Sequence, residues 1–171
     1  MTPVSPAAFR VRLAKVKLLS LDTDGVLTDG GLYYTDAGDE LRKFNVKDGL
    51  GIRRIQAAGV AVAVITASAS PAIEHRARYL GVEHVHLEVG DKLQVLTGIC
   101  DELGYPLEAV AHMGDDLNDV PVFREVGVPI TVADAHDAAK AEACWITGLG
   151  GGQGAVREIC DLIVEVRGGS D

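Results

Sequence analysis

Two aspartates two residues apart, Asp22 and Asp24 in LSLDTDGVLTDG, open a series of polar groups placed at the ends of apolar runs. Thr66 closes VAVIT, Lys92 follows Gly90 and Asp91, and Asp115, Asp116 and Asp119 crowd into GDDLND after VAHM. A carboxylate nucleophile, a second carboxylate, a hydroxyl, an ammonium and a distal acidic cluster are the parts for Mg2+-assisted phosphoryl transfer through an aspartyl phosphate. In that chemistry Asp22 attacks phosphorus, while Asp24 protonates the leaving alkoxide and later deprotonates the attacking water. Thr66 hydrogen-bonds a phosphate oxygen, and Lys92 neutralises the nucleophile and the transferring group. The three carboxylates of GDDLND repel one another unless a cation sits between them. Asp115 is therefore the expected direct Mg2+ ligand, together with Asp22 and the Asp24 carbonyl, and Asp116 and Asp119 support that set from behind.

Each residue also has a plainer explanation. Turn chemistry accounts well for Asp24-Gly25 but poorly for Asp22, a carboxylate at the end of a buried strand. A threonine at a strand end is commonplace, and Thr66 gains weight only from its company. Lys92 opens a helix, where a cation opposes the macrodipole, and that misplacement favours a function over a solvated surface lysine. An exposed acidic helix start would be enough to explain Asp119 alone.

The scaffold follows from the apolar pattern. Short buried runs at 17–21, 60–65, 85–87, 110–113, 128–132 and 144–147 read as strands. Helical patterns at about 48–58, 71–80, 92–103, 120–126, 138–143 and 155–166 alternate with them. Extended runs at 32–35 and 41–46 around Asp36-Ala37-Gly38-Asp39 signal a hairpin. This alternation predicts right-handed βαβ crossovers and an α/β fold, a three-layer Rossmannoid parallel sheet. One domain over 1–171 is expected, with a hairpin flap at about 31–46, no cap domain and a glycine-rich tail at about 148–171. Open parallel sheets gather ligands past the carboxyl ends of their strands, where these polar groups fall.

Composition narrows the partners. A formal net charge of −9 argues against nucleic acid or an anionic membrane. Hydrophobic residues at 47% and charged residues at 24% suit an ordinary globular protein. No run is long enough to span a membrane, and the first residues lack the apolar core of a signal peptide, so a cytoplasmic protein is expected. Cys100, Cys144 and Cys160 have no CxxC spacing and read as reduced core thiols. His84 and His86 share one face of a strand but have no third ligand near in sequence for zinc. GLGGGQG lacks the Lys-Ser/Thr of a P-loop and reads as a flexible connection. A response-regulator receiver uses similar groups, but it places its acidic pair first and its lysine last, the reverse of the order here.

The segments LDTDGVLTDG, FNVKDGLGI, GDKLQVL, MGDDLNDVPV, VADAH and GGQGAVREICDLI resemble the haloacid dehalogenase superfamily of phosphatases. Within it the chain is similar to the capless group that includes the 3-deoxy-D-manno-octulosonate 8-phosphate phosphatases. The resemblance implies hydrolysis of a phosphorylated 3-deoxy sugar acid, as in lipopolysaccharide biosynthesis, with Mg2+ as cofactor. It further implies a homotetramer built around the hairpins, and a tail that reaches a neighbouring subunit's site through residues 150–154 and Arg157. Thr66, Ala67, Lys92 and Arg157 are then the substrate-binding residues. One departure stands out: these phosphatases commonly carry Gly-Arg after the threonine, whereas here Ala67-Ser68 follows Thr66. An arginine can meet an anion bidentately and a serine cannot, which leaves another sugar phosphate open as the substrate.

Overall fold

A computed structural model describes residues 4–168, so the last residues of the expected tail lie outside the described residues. The helix α1 (Pro6–Leu13) forms because Ser5 caps it and Pro6 stands in its first turn, although the opening residues carry no strong amphipathic period. It buries Phe9 and Leu13, and the Phe9 ring stacks on Trp145 with centroids 4.2 Å apart.

Strand β1 (Leu18–Leu21) is followed by a small hairpin of β2 (Tyr33–Tyr34) and β3 (Glu40–Leu41). Helix α2 (Val46–Ala57), strand β4 (Ala61–Ile65), helix α3 (Pro71–Leu80) and strand β5 (His84–His86) come next. Then follow α4 (Lys92–Leu103), β6 (Val110–Gly114), α5 (Val120–Glu125), β7 (Val128–Thr131), α6 (Asp137–Glu142), β8 (Trp145–Ile146) and α7 (Ala155–Val166). Six strands form one sheet in the order β5-β4-β1-β6-β7-β8, and every pairing is parallel.

Both sheet faces are covered, which is why the strands read as continuous apolar runs rather than alternating ones. Leu19, Leu21, Val62, Val64, Ala111 and Met113 face a core completed by α1, α2, α3 and α7. Leu18, Ala63, Ile65 and Val110 face the opposite way, onto Leu96, Ile99 and Cys100 of α4 and Val122 of α5. All three cysteines are free and buried. Among the described residues no helix is long and apolar enough to cross a membrane.

Two local expectations change. The hairpin ladder is shorter than the apolar runs suggest, with only Tyr33 opposite Leu41 and Tyr34 opposite Glu40. Phe44 leaves the ribbon and packs on the core, and Val46 already begins α2, capped by the Asn45 side chain. The glycine-rich stretch is not a loose connection. Gly151 donates its N–H to Asp134 Oδ1 at 2.9 Å, and Gly152 donates to the Val26 carbonyl at 3.0 Å. A β-carbon on Gly151 would fall 1.9 Å from the Gly25 carbonyl oxygen, so only glycine lets this stretch lie against the loop after β1. Asp48, buried in α2, anchors the far end by accepting the Arg157 N–H at 2.9 Å.

Candidate active site

The sheet brings the ends of β1, β4 and β6 side by side, and the polar groups of the sequence meet there. Asp22 is held from two directions: its Oδ1 accepts the Thr23 N–H at 2.6 Å, and its Oδ2 lies 2.8 Å from Lys92 Nζ. Lys92 opens α4 but is only 3% exposed, because its ammonium also reaches Asp119 Oδ1 at 2.6 Å. Burial works against the ammonium, yet Asp22 and Asp119 outweigh it and raise the Lys92 pKa above its ordinary value. Asp22 is itself pushed up by burial and by Asp119, against the pull of Lys92.

Asp119 is fully occupied. Its Oδ1 takes Lys92 and the His112 ring nitrogen Nε2, at 3.0 Å, while its Oδ2 takes the backbone N–H groups of Asp115 at 3.0 Å and Asp116 at 3.4 Å. Burial would raise its pKa, but His112 and Lys92 bring it down to about 2. The carboxylate can only accept, so the His112 proton sits on Nε2, and Nδ1 faces Ser20 Oγ at 3.1 Å. Asp119 is thus a brace that fixes Lys92 and the turn carrying Asp115. Asp116 stands at the mouth and caps the short 3-10 turn Leu117–Asp119.

The fit of this site to a divalent cation rests on its donor chemistry. Carboxylate oxygens of Asp22, Asp115 and Asp119 all lie within 4.8 Å of one another. Asp115 is pushed up to about 7, first by burial and then by Asp22, Asp119 and Asp116, a repulsion that a cation would reverse. Asp119 is committed to its four donors, which leaves Asp22 and Asp115 as the side chains that would hold an ion. Gly25, at φ +84°, gives Asp115 its room, since a β-carbon there would sit 2.0 Å from Asp115 Oδ2. One expected outcome follows for pH. Mg2+ takes the ionised carboxylate, so its apparent affinity should fall about tenfold from pH 8 to pH 6, with a proton released on binding near neutrality. Calorimetric titration at both pH values measures this, and equal affinities would contradict it.

The cleft above these residues has a volume of about 460 Å³ and is lined by Asp22, Asp24, Thr66, Ala67, Ser68, Asp115 and Asp116. That size suits a small ester. Thr66 is buried, and its hydroxyl accepts the Ser68 N–H at 3.2 Å, which leaves its own proton to donate. Arg157 does not line the cleft of its own chain: its Nε pairs with Asp161 Oδ2 at 2.6 Å on α7. His84 and His86 belong to no metal-sized cluster among the described residues.

Two residues join the site that sequence patterns did not single out. His112 is one; a histidine inside the buried run VAHM is a signal, since it must have a polar partner. Arg42 is the other. It arrives from the end of the hairpin, with Nε 2.7 Å from Asp24 Oδ1 and Nη2 2.9 Å from both Asp24 Oδ2 and Ser68 Oγ. Its side chain is 3% exposed, and Glu40 accepts from Nη1. Ser68 is therefore more than a lost arginine, because its hydroxyl is a partner of this guanidinium.

A parallel sheet that holds a carboxylate at the end of its central strand, against a buried lysine and beside a second acidic cluster, is an arrangement suited to a phosphoryl-transfer hydrolase. Residues 85–158 match the haloacid dehalogenase-like hydrolase family. The chain is 41% identical over 169 residues to the 3-deoxy-D-manno-octulosonate 8-phosphate phosphatase of Salmonella typhimurium, covering 99% of this chain and 89% of the relative. A crystal structure of the same phosphatase from Moraxella catarrhalis, in complex with magnesium ion, phosphate ion and KDO, superposes with a TM-score of 0.93 at 36% identity, covering 96% and 94% of the two chains. A structure described as a putative phosphatase of this kind from Vibrio cholerae has a TM-score of 0.94 at 38% identity, covering 98% and 93%. The chain belongs to the haloacid dehalogenase-like hydrolases, in the group of these octulosonate phosphatases, and is a phosphoric monoester hydrolase.

Proposed function

We propose that this chain hydrolyses a phosphorylated 3-deoxy sugar acid, 3-deoxy-D-manno-octulosonate 8-phosphate, in a Mg2+-dependent reaction through an aspartyl phosphate on Asp22. The buried Lys92 ammonium joining Asp22 to Asp119 beneath the cleft carries the chemistry of this reading, and the similarity to the octulosonate phosphatases supports its substrate. The Thr23 N–H and Lys92 fix the Asp22 carboxylate, so one oxygen attacks phosphorus while the alkoxide leaves and takes a proton from Asp24. Asp24 then removes a proton from water, which attacks the aspartyl phosphate, frees inorganic phosphate and restores Asp22. Thr66 and Lys92 hold the phosphoryl oxygens throughout. Asp22, the Asp24 carbonyl and Asp115 would hold Mg2+, which would supply positive charge where this acidic protein must accept an anion. Asp116 and Asp119 hold these groups in place without bonding the ion.

Phosphate release from a panel of phosphorylated 3-deoxy sugar acids and neutral hexose phosphates tests the substrate. Octulosonate 8-phosphate should exceed the hexose phosphates in kcat/KM by at least about tenfold, the scale of a charge-assisted contact. Comparable values for both classes would overturn the sugar-acid assignment and leave the phosphatase chemistry intact.

The reading extends to assembly. Leu32, Tyr33, Tyr34 and Leu41 are 44%, 56%, 63% and 54% exposed on a two-stranded ribbon, too apolar for a projection that ends in water. Packing these flaps around a symmetry axis gives a homotetramer, within which Arg157 and residues 150–154 would lie close to a neighbouring cleft. Light scattering at micromolar concentration should give the mass of four chains, and a monodisperse monomer would refute it. No nucleic-acid or membrane partner is part of this reading. A cytoplasmic setting accords with the three buried free thiols.

A further inference from the structure

Arg42 ties the hairpin to the candidate site. Its guanidinium stands at the meeting point of three segments: the ribbon end at Glu40, the loop after β1 at Asp24, and the loop after β4 at Ser68. Four of its five N–H donors are used there, two of them on the carboxylate of Asp24. Few other groups steady that carboxylate; Thr28 Oγ1 approaches its Oδ1 only at 3.4 Å. Ser68 in turn receives the Ser70 N–H at 3.2 Å and gives its own N–H to Thr66, so a continuous chain of hydrogen bonds runs from the phosphate-binding threonine to Asp24. A planar fork gripping both oxygens fixes the plane and direction of a carboxylate in a way a single ammonium cannot.

We infer that Arg42 is the positioning residue for Asp24: its fork takes one lone pair on each carboxyl oxygen, and the proton that passes to the substrate's leaving oxygen sits on a lone pair the fork leaves open. This rests on the phosphatase reading above, and Arg42 acts through Asp24 rather than by touching phosphate. The inference has a signature in the leaving group. An alkyl phosphate needs a proton on its departing oxygen, whereas p-nitrophenolate departs without one. The first phosphoryl transfer, read by kcat/KM, therefore depends on a well-aimed Asp24 only for the alkyl ester.

The experiment compares wild type, Arg42→Met and Arg42→Lys on an alkyl sugar phosphate and on p-nitrophenyl phosphate. Arg42→Met should lose roughly ten- to a hundredfold in kcat/KM on the alkyl ester and less than about threefold on the aryl ester, given that general acid catalysis is worth about 10²–10⁴. Arg42→Lys should recover only part of the loss, since it replaces the fork by one point of contact. Retained aryl phosphatase activity shows that the variant is folded and its nucleophile intact. Equal losses on both esters would overturn the inference in favour of a purely structural tie. A loss confined to acidic sugar phosphates, with neutral alkyl phosphates spared, would overturn it in favour of direct anion recognition. If wild type turns over neither ester, the phosphatase reading itself has failed, which is a separate outcome.

Discussion

Asp22→Asn is expected to abolish turnover, lowering kcat by about four orders of magnitude or more, the scale seen when a catalytic nucleophile is removed. The amide keeps the shape of the side chain, and its oxygen can still accept the Thr23 N–H, so the fold should survive. What it lacks is a carboxylate oxygen able to form an acyl phosphate. Lys92 keeps Asp119 as a partner in the variant, which limits the structural damage. Steady-state phosphate release, with circular dichroism as the control for folding, measures the effect. Turnover near that of wild type, with contaminating phosphatase excluded, would sink the assignment of the nucleophile.

Lys92→Met is expected to damage stability as well as rate. The ammonium lies between two buried carboxylates, 2.8 Å from Asp22 and 2.6 Å from Asp119. An apolar replacement of similar length leaves both facing each other and Asp115 without their buried cation. Removing one partner of a buried ionic cluster costs about 3–5 kcal/mol. At roughly 2–4 °C per kcal/mol for a chain of this size, the melting temperature should fall on the order of 10 °C. Because the lost charge is positive, added Mg2+ should raise the melting temperature of the variant more than that of wild type. An unchanged melting temperature without Mg2+ would show that Lys92 does not bear the electrostatic load described here.

The parts legible from the residues were those whose position conflicts with ordinary local rules. Asp22 ends a strand that is buried on both faces, and Lys92 starts a helix that should repel it; each conflict points to a distant partner. The parallel sheet was legible for the same kind of reason, since apolar runs without alternation require cover on both sides. Arg42 was not legible. Beside Lys43 and after Asp39 and Glu40 it reads as a solvated cation, and its bond to Asp24 exists only once the hairpin folds back across 18 positions of chain. The glycine stretch failed for a related reason: a row of glycines signals freedom of the backbone, whereas here the missing side chains of Gly150, Gly151 and Gly152 are room for Asp134 and the loop after β1. Helix α1 rests on its Ser5 cap and on Phe9 meeting Trp145 from the far end of the sequence, a contact no local window contains.

The seating of Gly151 against Gly25 also governs when activity can begin in the life of the polypeptide. Asp22, the proposed nucleophile, precedes β4 and β6 in the chain, yet its strand lies between them in the middle of the sheet. Lys92 and Asp119 follow Asp22 in the chain, and the glycines that close the loop behind it come later still. A nascent chain on the ribosome therefore carries the reactive aspartate without the means to use it. Products cut off before the glycine stretch should be silent rather than indiscriminate phosphatases, because the loop behind Asp22 then lacks its seat.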